Sequence, residues 1–332
     1  MRAEPVIPLL EGALASRVDL FDLHHESAFR LFNGFTEGHT DLVVDIFAST
    51  LVVQNYADEP EKGQPVVQEA AEYLQAELPW LRAGILKLRH SHTQAEKRGT
   101  LFFGEKPDQK IREHGIWYAI DLTINRDTSL YLDARNLRKW VLENTRGKSV
   151  ANFFAYTGSL GVAALAGGAN RVLQLDLNPN FLDVARMSCT LNGFPVHDAD
   201  FRAGDFFEQV GKFKRSGESF DCVIVDPPFF STTSKGRIDQ EHESMRIINK
   251  VRPLLADGGV LIAINNALYV SGKEWMQTLE SVCKDGYVKI MELIPVPEDF
   301  TGYPGTRSGQ PITDPYPFNH STKMAALKVR RK

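Results

Sequence analysis

The sequence predicts an α/β protein, a parallel sheet wound with helices behind a smaller α+β module, and three observations carry that prediction. Phe220 to Asp226 is a largely apolar run, interrupted only by Asp221, ended by an acid and by Pro227-Pro228, the pattern of a strand buried on both faces. Ser149 to Ala155, Arg171 to Asp176 and Phe201 to Asp205 are further strand-like segments that finish in, or run directly into, polar residues. Between the first two of these, Tyr156-Thr-Gly-Ser-Leu-Gly161 is a tight turn opening onto a helix. Ligands of open α/β sheets sit outside the carboxyl ends of the strands, so the rim carrying Asp226, Pro227, Pro228 and Phe229 is the expected active site.

Composition narrows the class. The chain has 332 residues, which suits two domains, and its 43% hydrophobic content is ample for packed cores. No apolar run approaches a membrane span, and Met1 to Pro5 lacks the basic-then-apolar order of a signal peptide, so a cytoplasmic address with no membrane partner is expected. Cys189, Cys222 and Cys283 are odd in number and widely spaced, which fits neither a disulfide framework nor a zinc site; no metal is expected. A net charge of -4 leaves no global basic field, so a nucleic-acid partner has to be held by local patches.

In chain order, residues 1–127 read as the α+β module. Phe29 to Asn33, Asp41 to Phe47 and Leu51 to Tyr56 are short strands in a meander, the first two joined by a turn containing Gly34 and Gly38. Pro65 to Leu78 carries Val66, Val67, Ala70, Tyr73, Leu74 and Leu78 at helical spacing and stops at Pro79. Gly84 to Leu88 and Leu101 to Phe103 are strands. Lys87, Arg89, His90, His92, Lys97 and Arg98 cluster around them, either to meet phosphates or as an ordinary solvated loop. Ile111 to Leu122 is a hairpin turning at His114-Gly115.

Residues 128–332 read as the second domain. Asp133, Arg135 and Arg138 stand at the start of a helix; taken locally they are an N-cap and a solvated face. The strand, glycine turn and helix that follow make a pocket for the polar end of a nucleotide-like ligand. Asp176, about twenty residues past that turn, is placed to accept hydrogen bonds from ribose hydroxyls. Helix Pro179 to Leu191 closes at Asn192-Gly193. Beyond Asp226 come a strand at Gly259 to Ile264, a helix at Gly272 to Cys283, and strands at Val288 to Leu293 and Met324 to Val329. The connection from Pro295 to Thr322 is long and rich in proline and aromatics, suiting an ordered lid or a loop packed on itself, with Tyr303, Tyr316 and His320 as candidate base contacts.

These motifs, in this order, resemble the class I S-adenosylmethionine methyltransferases and within them the bacterial large-subunit ribosomal RNA methyltransferases, the cytosine-C5 and guanine-N7 branch. The residues that carry the resemblance are Tyr131-Leu-Asp-x-Arg135, Asn152-x-x-x-Tyr156-Thr-Gly158, Asp176, Asp205 and Asp226-Pro-Pro-x-Phe230. The resemblance implies a Rossmann-like seven-stranded methyltransferase sheet, S-adenosyl-L-methionine as cofactor, and ribosomal RNA as partner. It further implies that Tyr131, Asp133 and Arg135 lie near the methionine moiety and that Asn152, Tyr156, Thr157 and Gly158 line the donor loop. Asp176 with Leu177 would meet the ribose, Asp205 with Phe206 the adenine, and Asp226 both donor and acceptor. The oligomeric state, homodimer included, stays open.

Three departures from the family pattern stand out. The first turn has Ser129 where the family commonly has glycine. The amino-terminal RNA-binding domain that many relatives carry is absent or reduced to the stretch from Met1 to about Ser27. After the strand ending at Ile264 comes Asn265-Asn266, where cytosine-C5 members place a cysteine. Methylation at C5 needs a thiolate that adds to C6, and Cys222 falls inside a strand. A ring nitrogen needs only alignment and a negative field, which Asp226 supplies while Phe229 or Phe230 stacks on the base. Asn265 and Asn266 resemble the paired asparagines of the guanine-N7 branch. The reading is therefore base-nitrogen methylation of ribosomal RNA, guanine N7 first and adenine N6 left open. A protein or small-molecule methyltransferase stands second. A nicotinamide-dependent oxidoreductase stands third, disfavoured by the missing Gly-x-Gly-x-x-Gly.

Overall fold

A computed structural model describes residues 5–331. Met1 to Glu4, read for the absence of a signal peptide, and Lys332 of the basic terminus lie outside the described residues. The chain forms two compact units: residues up to Leu132 together with Pro297–Pro311, and Asp133–Val296 with the chain from Ile312 onward.

The first unit is built on a five-stranded sheet. After helix α1 (Val6–Ser16), strands β1 (Ala28–Asn33), β2 (Leu42–Phe47) and β3 (Thr50–Asn55) form the antiparallel meander, with one helical turn, α2 (Gly34–Glu37), between the first two. Helix α3 (Pro60–Glu77) crosses to β4 (Ala83–Leu88), which pairs parallel to β3. A short α4 (Gln94–Arg98) leads to edge strand β5 (Thr100–Gly104). Strands β6 (Lys110–Glu113) and β7 (Ile116–Ala119) form the expected separate hairpin. Leu10, Phe29, Phe32, Val44, Leu51, Val67, Ala70 and Leu74 share one core.

Helix α3 begins five residues before the position that spacing suggested. Pro60 takes the first-turn place that suits a residue lacking an N–H, while Pro65 sits one turn inside and forgoes one intrahelical bond. Pro297–Pro311 belongs to this unit because a buried charged cluster fastens it. The Arg17 guanidinium bonds both carboxylate oxygens of Glu37 at 2.9 and 2.8 Å and the carbonyl of Asp299. Glu37 also accepts from Thr306 Oγ1, and Asp299 accepts the N–H of Arg30. The connection from Pro295 to Thr322 is thus divided between the two units.

The second unit is the doubly wound part. In chain order it comprises α5 (Arg135–Asn144), β8 (Ser149–Phe153), α6 (Ser159–Ala166), β9 (Arg171–Asp176), α7 (Pro179–Leu191), β10 (Phe201–Ala203), α8 (Phe206–Ser216) and β11 (Phe220–Val225). A small hairpin, β12 (Phe230–Thr233) and β13 (Gly236–Asp239), and helix α9 (Ser244–Val251) lead to β14 (Leu255–Asn265), α10 (Gly272–Cys283), β15 (Val288–Ile294) and β16 (Lys323–Val329). The seven strands lie in the order β10-β9-β8-β11-β14-β16-β15. The first five run parallel; β16 is antiparallel to both its neighbours. Successive residues of the central strands, Val150 to Phe153 and Cys222 to Val225, are all buried, as a sheet covered on both faces requires. The hairpin β12–β13 and helix α9 have no counterpart among the elements read from the sequence.

Candidate active site

Strand order reverses between β8 and β11. From β8 the chain winds outward through β9 and β10, and from β11 it winds the other way, so the segments after these two strands flank a topological switch point. The backbone N–H of Asp226 lies 3.5 Å from the carbonyl of Phe153, joining the two carboxyl ends.

The segment after β8 is tightly constrained. Phe154 and Tyr156 have φ of 59° and 51°, left-handed values that side chains rarely adopt, and Gly158 follows at 75° as the cap of α6. A Cβ on Gly158 would press into Ala185 and the Gln174 amide, closer than real Cβ atoms approach, so glycine is required there on two counts. Strand β9 ends beside this turn. Asp176 accepts the N–H of Tyr156 at 2.8 Å and that of Asn178 at 2.9 Å. Burial raises its pKa above the ordinary carboxylate value, partly offset by those backbone bonds. With backbone N–H groups of Tyr156, Leu177 and Asn178 bonded to it, the carboxylate still has acceptor capacity to spare, and Leu177 beside it is exposed.

Strand β11 delivers the second carboxylate. Asp226 keeps part of its surface open as a residue, yet its Oδ1 is buried and has no hydrogen-bond partner. Burial, with the Asp133 carboxylate adding like charge, pushes its pKa up to about 7. Asp133 in turn accepts from Thr322 Oγ1 at 2.9 Å. Pro227 is buried, whereas Phe229 and Phe230 are 45% and 56% exposed directly after it.

One residue missed in the sequence organises this loop. Gln240, 2% exposed, donates its amide to the carbonyl of Pro227 and to Asn266 Oδ1, and its Oε1 accepts the N–H of Asn266 at 3.0 Å. Its backbone N–H bonds the carbonyl of Phe229 at 3.0 Å. A glutamine in an unassigned stretch gives no sequence signal; only the pairing of β12 with β13 brings it beneath the prolines.

Several expected site residues have other work. Asn265 is fully buried: its Nδ2 donates to Gln240 O and Ser244 Oγ and its Oδ1 accepts the N–H of Ala267, so it holds the loop and does not face a base. Asn152 is buried across from Gln174 in the sheet, its amide 3.3 Å from Gln174 Oε1. Asp205 caps α8 through Glu208 N and accepts from Thr233 Oγ1 at 2.6 Å, tying the β12–β13 hairpin to the end of β10. Phe206 is a core ring packed on Phe153 and Phe154. Thr157 is buried, and Tyr131, half-exposed, belongs to the first unit. Arg135 opens α5, whereas Arg138, expected on a solvated face, is buried. Tyr303 lies under the Arg17 guanidinium, 4.9 Å from its ring centre, and His320 Nδ1 accepts the N–H of Thr322. Two members of the Lys87 cluster are committed to the fold: Lys87 is buried and its Nζ donates to the carbonyls of Arg98, Asn125 and Asp127, while Arg89 pairs with Asp127 at 2.9 Å; His90, His92 and Arg98 are exposed.

A strained glycine turn, a partly buried acid at the end of β9 and a second partly buried acid after β11 flank the switch point. The chain belongs to the S-adenosylmethionine-dependent methyltransferase family, whose model matches residues 30–302. A ribosomal RNA large subunit methyltransferase I from Aeromonas salmonicida is 32% identical over 76% of this chain. The chain spans about 64% of that relative's length. Among solved structures, a methyltransferase fold in complex with S-adenosylhomocysteine superposes with a TM-score of 0.83 at 21% identity, covering 97% of this chain and 80% of that one. A SAM-dependent methyltransferase from Agrobacterium tumefaciens gives a TM-score of 0.60 at 17% identity, covering 88% of each chain. The fold is therefore the Rossmann-like methyltransferase fold read from the sequence. No helix among the described residues is long and apolar enough to cross a membrane.

The residues present fit the family's cofactor. Asp176 has acceptor capacity for ribose hydroxyls, Gly158 lets the turn approach a ligand, and Asp226 Oδ1 is a buried acceptor still to be satisfied. When bound, S-adenosylmethionine supplies an electrophilic methyl group on a sulfonium.

Proposed function

We propose that the chain methylates a base nitrogen of large-subunit ribosomal RNA, guanine N7 being the preferred atom. The observation that carries this reading is the loop Asp226 to Phe230: a carboxylate with an unsatisfied buried oxygen, followed by two prolines and two exposed phenylalanines. Tyr269 and Tyr316, 68% and 75% exposed, add aromatic surface on segments that follow β14 and precede β16, at the same edge of the sheet. Aromatic rings of this kind hold unstacked bases, each stacked base contributing about 1–3 kcal/mol.

Guanine N7 carries its own lone pair, so the protein has no proton to remove before transfer. It has to align that nitrogen with the methyl group and stabilise a purine that becomes cationic. An ionised Asp226 provides the negative field and Phe229 the stacking plane; the site of Asp176 and the Tyr156–Gly158 turn holds the donor. The C5 chemistry finds no nucleophile here. Cys222 is buried inside β11 with its thiol pushed up to about 12, Cys189 is buried in α7 with its thiol pushed up to about 11, and Cys283 lies on α10. The name shared by the Aeromonas relative supports ribosomal RNA as the acceptor class.

The test is transfer of labelled methyl from S-adenosylmethionine to ribosomal RNA, naked and in assembled subunits, from a strain lacking this gene, with nucleosides resolved by mass spectrometry. Labelled 7-methylguanosine is expected. Methyladenosine would move the target to an exocyclic amine on the same frame. No label in either RNA form, with S-adenosylhomocysteine still bound, would overturn the RNA reading in favour of a protein or small-molecule acceptor.

A further inference from the structure

We infer that Gln240 is the positioning residue that sets the acceptor side of the site, an inference that rests on the proposed methyl transfer only for its kinetic readout. The need for such a residue follows from the loop's own chemistry. Pro227 and Pro228 have no N–H, so the loop offers few backbone donors with which to fasten itself and has to be held by its carbonyls. Gln240 takes both carbonyls that flank the turn, Pro227 O through its side chain and Phe229 O through its backbone N–H.

The same glutamine is fixed from the other side. Its Oε1 accepts the N–H of Asn266, its Nε2 reaches Asn266 Oδ1 at 3.0 Å, and its carbonyl accepts from Asn265 Nδ2 at 3.2 Å and Ser244 Oγ at 2.5 Å. One buried side chain therefore spans the carboxyl ends of the neighbouring strands β11 and β14 and the end of the β12–β13 hairpin. Both N–H donors of its amide and its carbonyl oxygen are engaged in keeping that geometry. The consequence is a division of labour. The Tyr156–Gly158 turn after β8 and Asp176 at the end of β9 set the donor, whereas Gln240 sets where Asp226 and Phe229 stand.

The test uses Gln240→Met, which keeps the volume and removes both amide functions, and Gln240→Glu, which keeps the acceptor toward Asn266 N–H and loses the donor toward Pro227 O. Should the methionine variant not fold, the glutamate variant decides. Two readouts are taken on the full chain. In the presence of saturating S-adenosylhomocysteine, backbone hydrogen exchange of Phe229 to Thr233 is expected to rise at least about tenfold, with the amides of Tyr156 to Gly158 unchanged and the S-adenosylhomocysteine Kd within about twofold of wild type. With ribosomal RNA as acceptor, kcat is expected to fall about 10- to 100-fold, the range that misplacement of a reacting group by about 1 Å produces. Unchanged exchange in the loop, or a uniform rise in exchange together with weakened donor binding, overturns the positioning role. If wild type itself transfers nothing to RNA, the proposed acceptor fails while the exchange result still decides the role of Gln240.

Discussion

Replacing Asp226 by asparagine should change the slope of stability against pH, because this carboxyl ionises at a higher pH in the folded chain than in the unfolded one. Its pKa is about 7 in the structure and 3.8 in an unfolded reference. Below about pH 3.8 both states are protonated and the group costs nothing. Between 3.8 and 7 the unfolded state loses the proton first, so wild-type stability falls as pH rises, and above 7 the full penalty is in place. A shift of about three units is worth about 4 kcal/mol at most, and about two of those units lie above pH 5, so roughly 2–3 kcal/mol of it develops between pH 5 and 8. Asparagine cannot ionise and is free of this term. Urea denaturation of the cofactor-free protein at both pH values, wild type against Asp226→Asn, is the assay. The stability difference between the two should move in favour of the variant by about 2–3 kcal/mol from pH 5 to pH 8. A difference that does not change with pH would refute the reasoning. Asp133→Asn removes the neighbouring like charge and should shrink the wild-type slope in part, since burial, the larger cause, remains.

Three further outcomes are expected. Asp176→Ala should weaken S-adenosylhomocysteine binding by tenfold or more in calorimetry, because the ribose acceptor and the anchor for Tyr156 N–H disappear together; unchanged affinity would remove Asp176 from the donor site. Phe229→Ala should raise the KM for RNA by tenfold or more and leave donor affinity unchanged, the loss of one stacked base; an unchanged KM would count against stacking at this position. Lys87→Met should destabilise the chain by about 2–4 kcal/mol, since three partly buried carbonyls lose their donor, with no effect on RNA affinity; a stable variant that binds RNA more weakly would return Lys87 to a phosphate-contact role.

Some of the site was legible because its residues sit where a strand ends. The acids at 176 and 226 stand at or one residue beyond the last residue of β9 and β11, and the glycine turn stands between a strand and a helix, so periodicity and punctuation locate them on one rim without any coordinate. The helix Pro179 to Leu191 was equally plain, since proline and asparagine mark its start and Asn192-Gly193 its end. Side-chain direction was not legible. Asn152 lies in the middle of β8, where the sheet covers both faces, and Asn265 ends β14 under Gln240; a motif match gives their position along the chain but not which way they point. Phe206 was read as a pocket residue for the same reason and turned out to be core.

What the sequence determined by itself is the order of elements and the chemistry at their ends, because hydrophobic period, glycine and proline act over a few residues. What the tertiary structure decided is which polar groups are spent on holding the fold and which are left over. Lys87, Arg138 and Asp205 look available in the sequence and are committed in the structure, the first two by burial and the third by a helix cap and a hydroxyl. Asp226 acquires its raised pKa only from burial and from Asp133, ninety-three positions away, and Gln240 acquires its place only when two short strands pair. Burial and long-range hydrogen bonds depend on neighbours distant in sequence, and these are brought together only by the folded sheet.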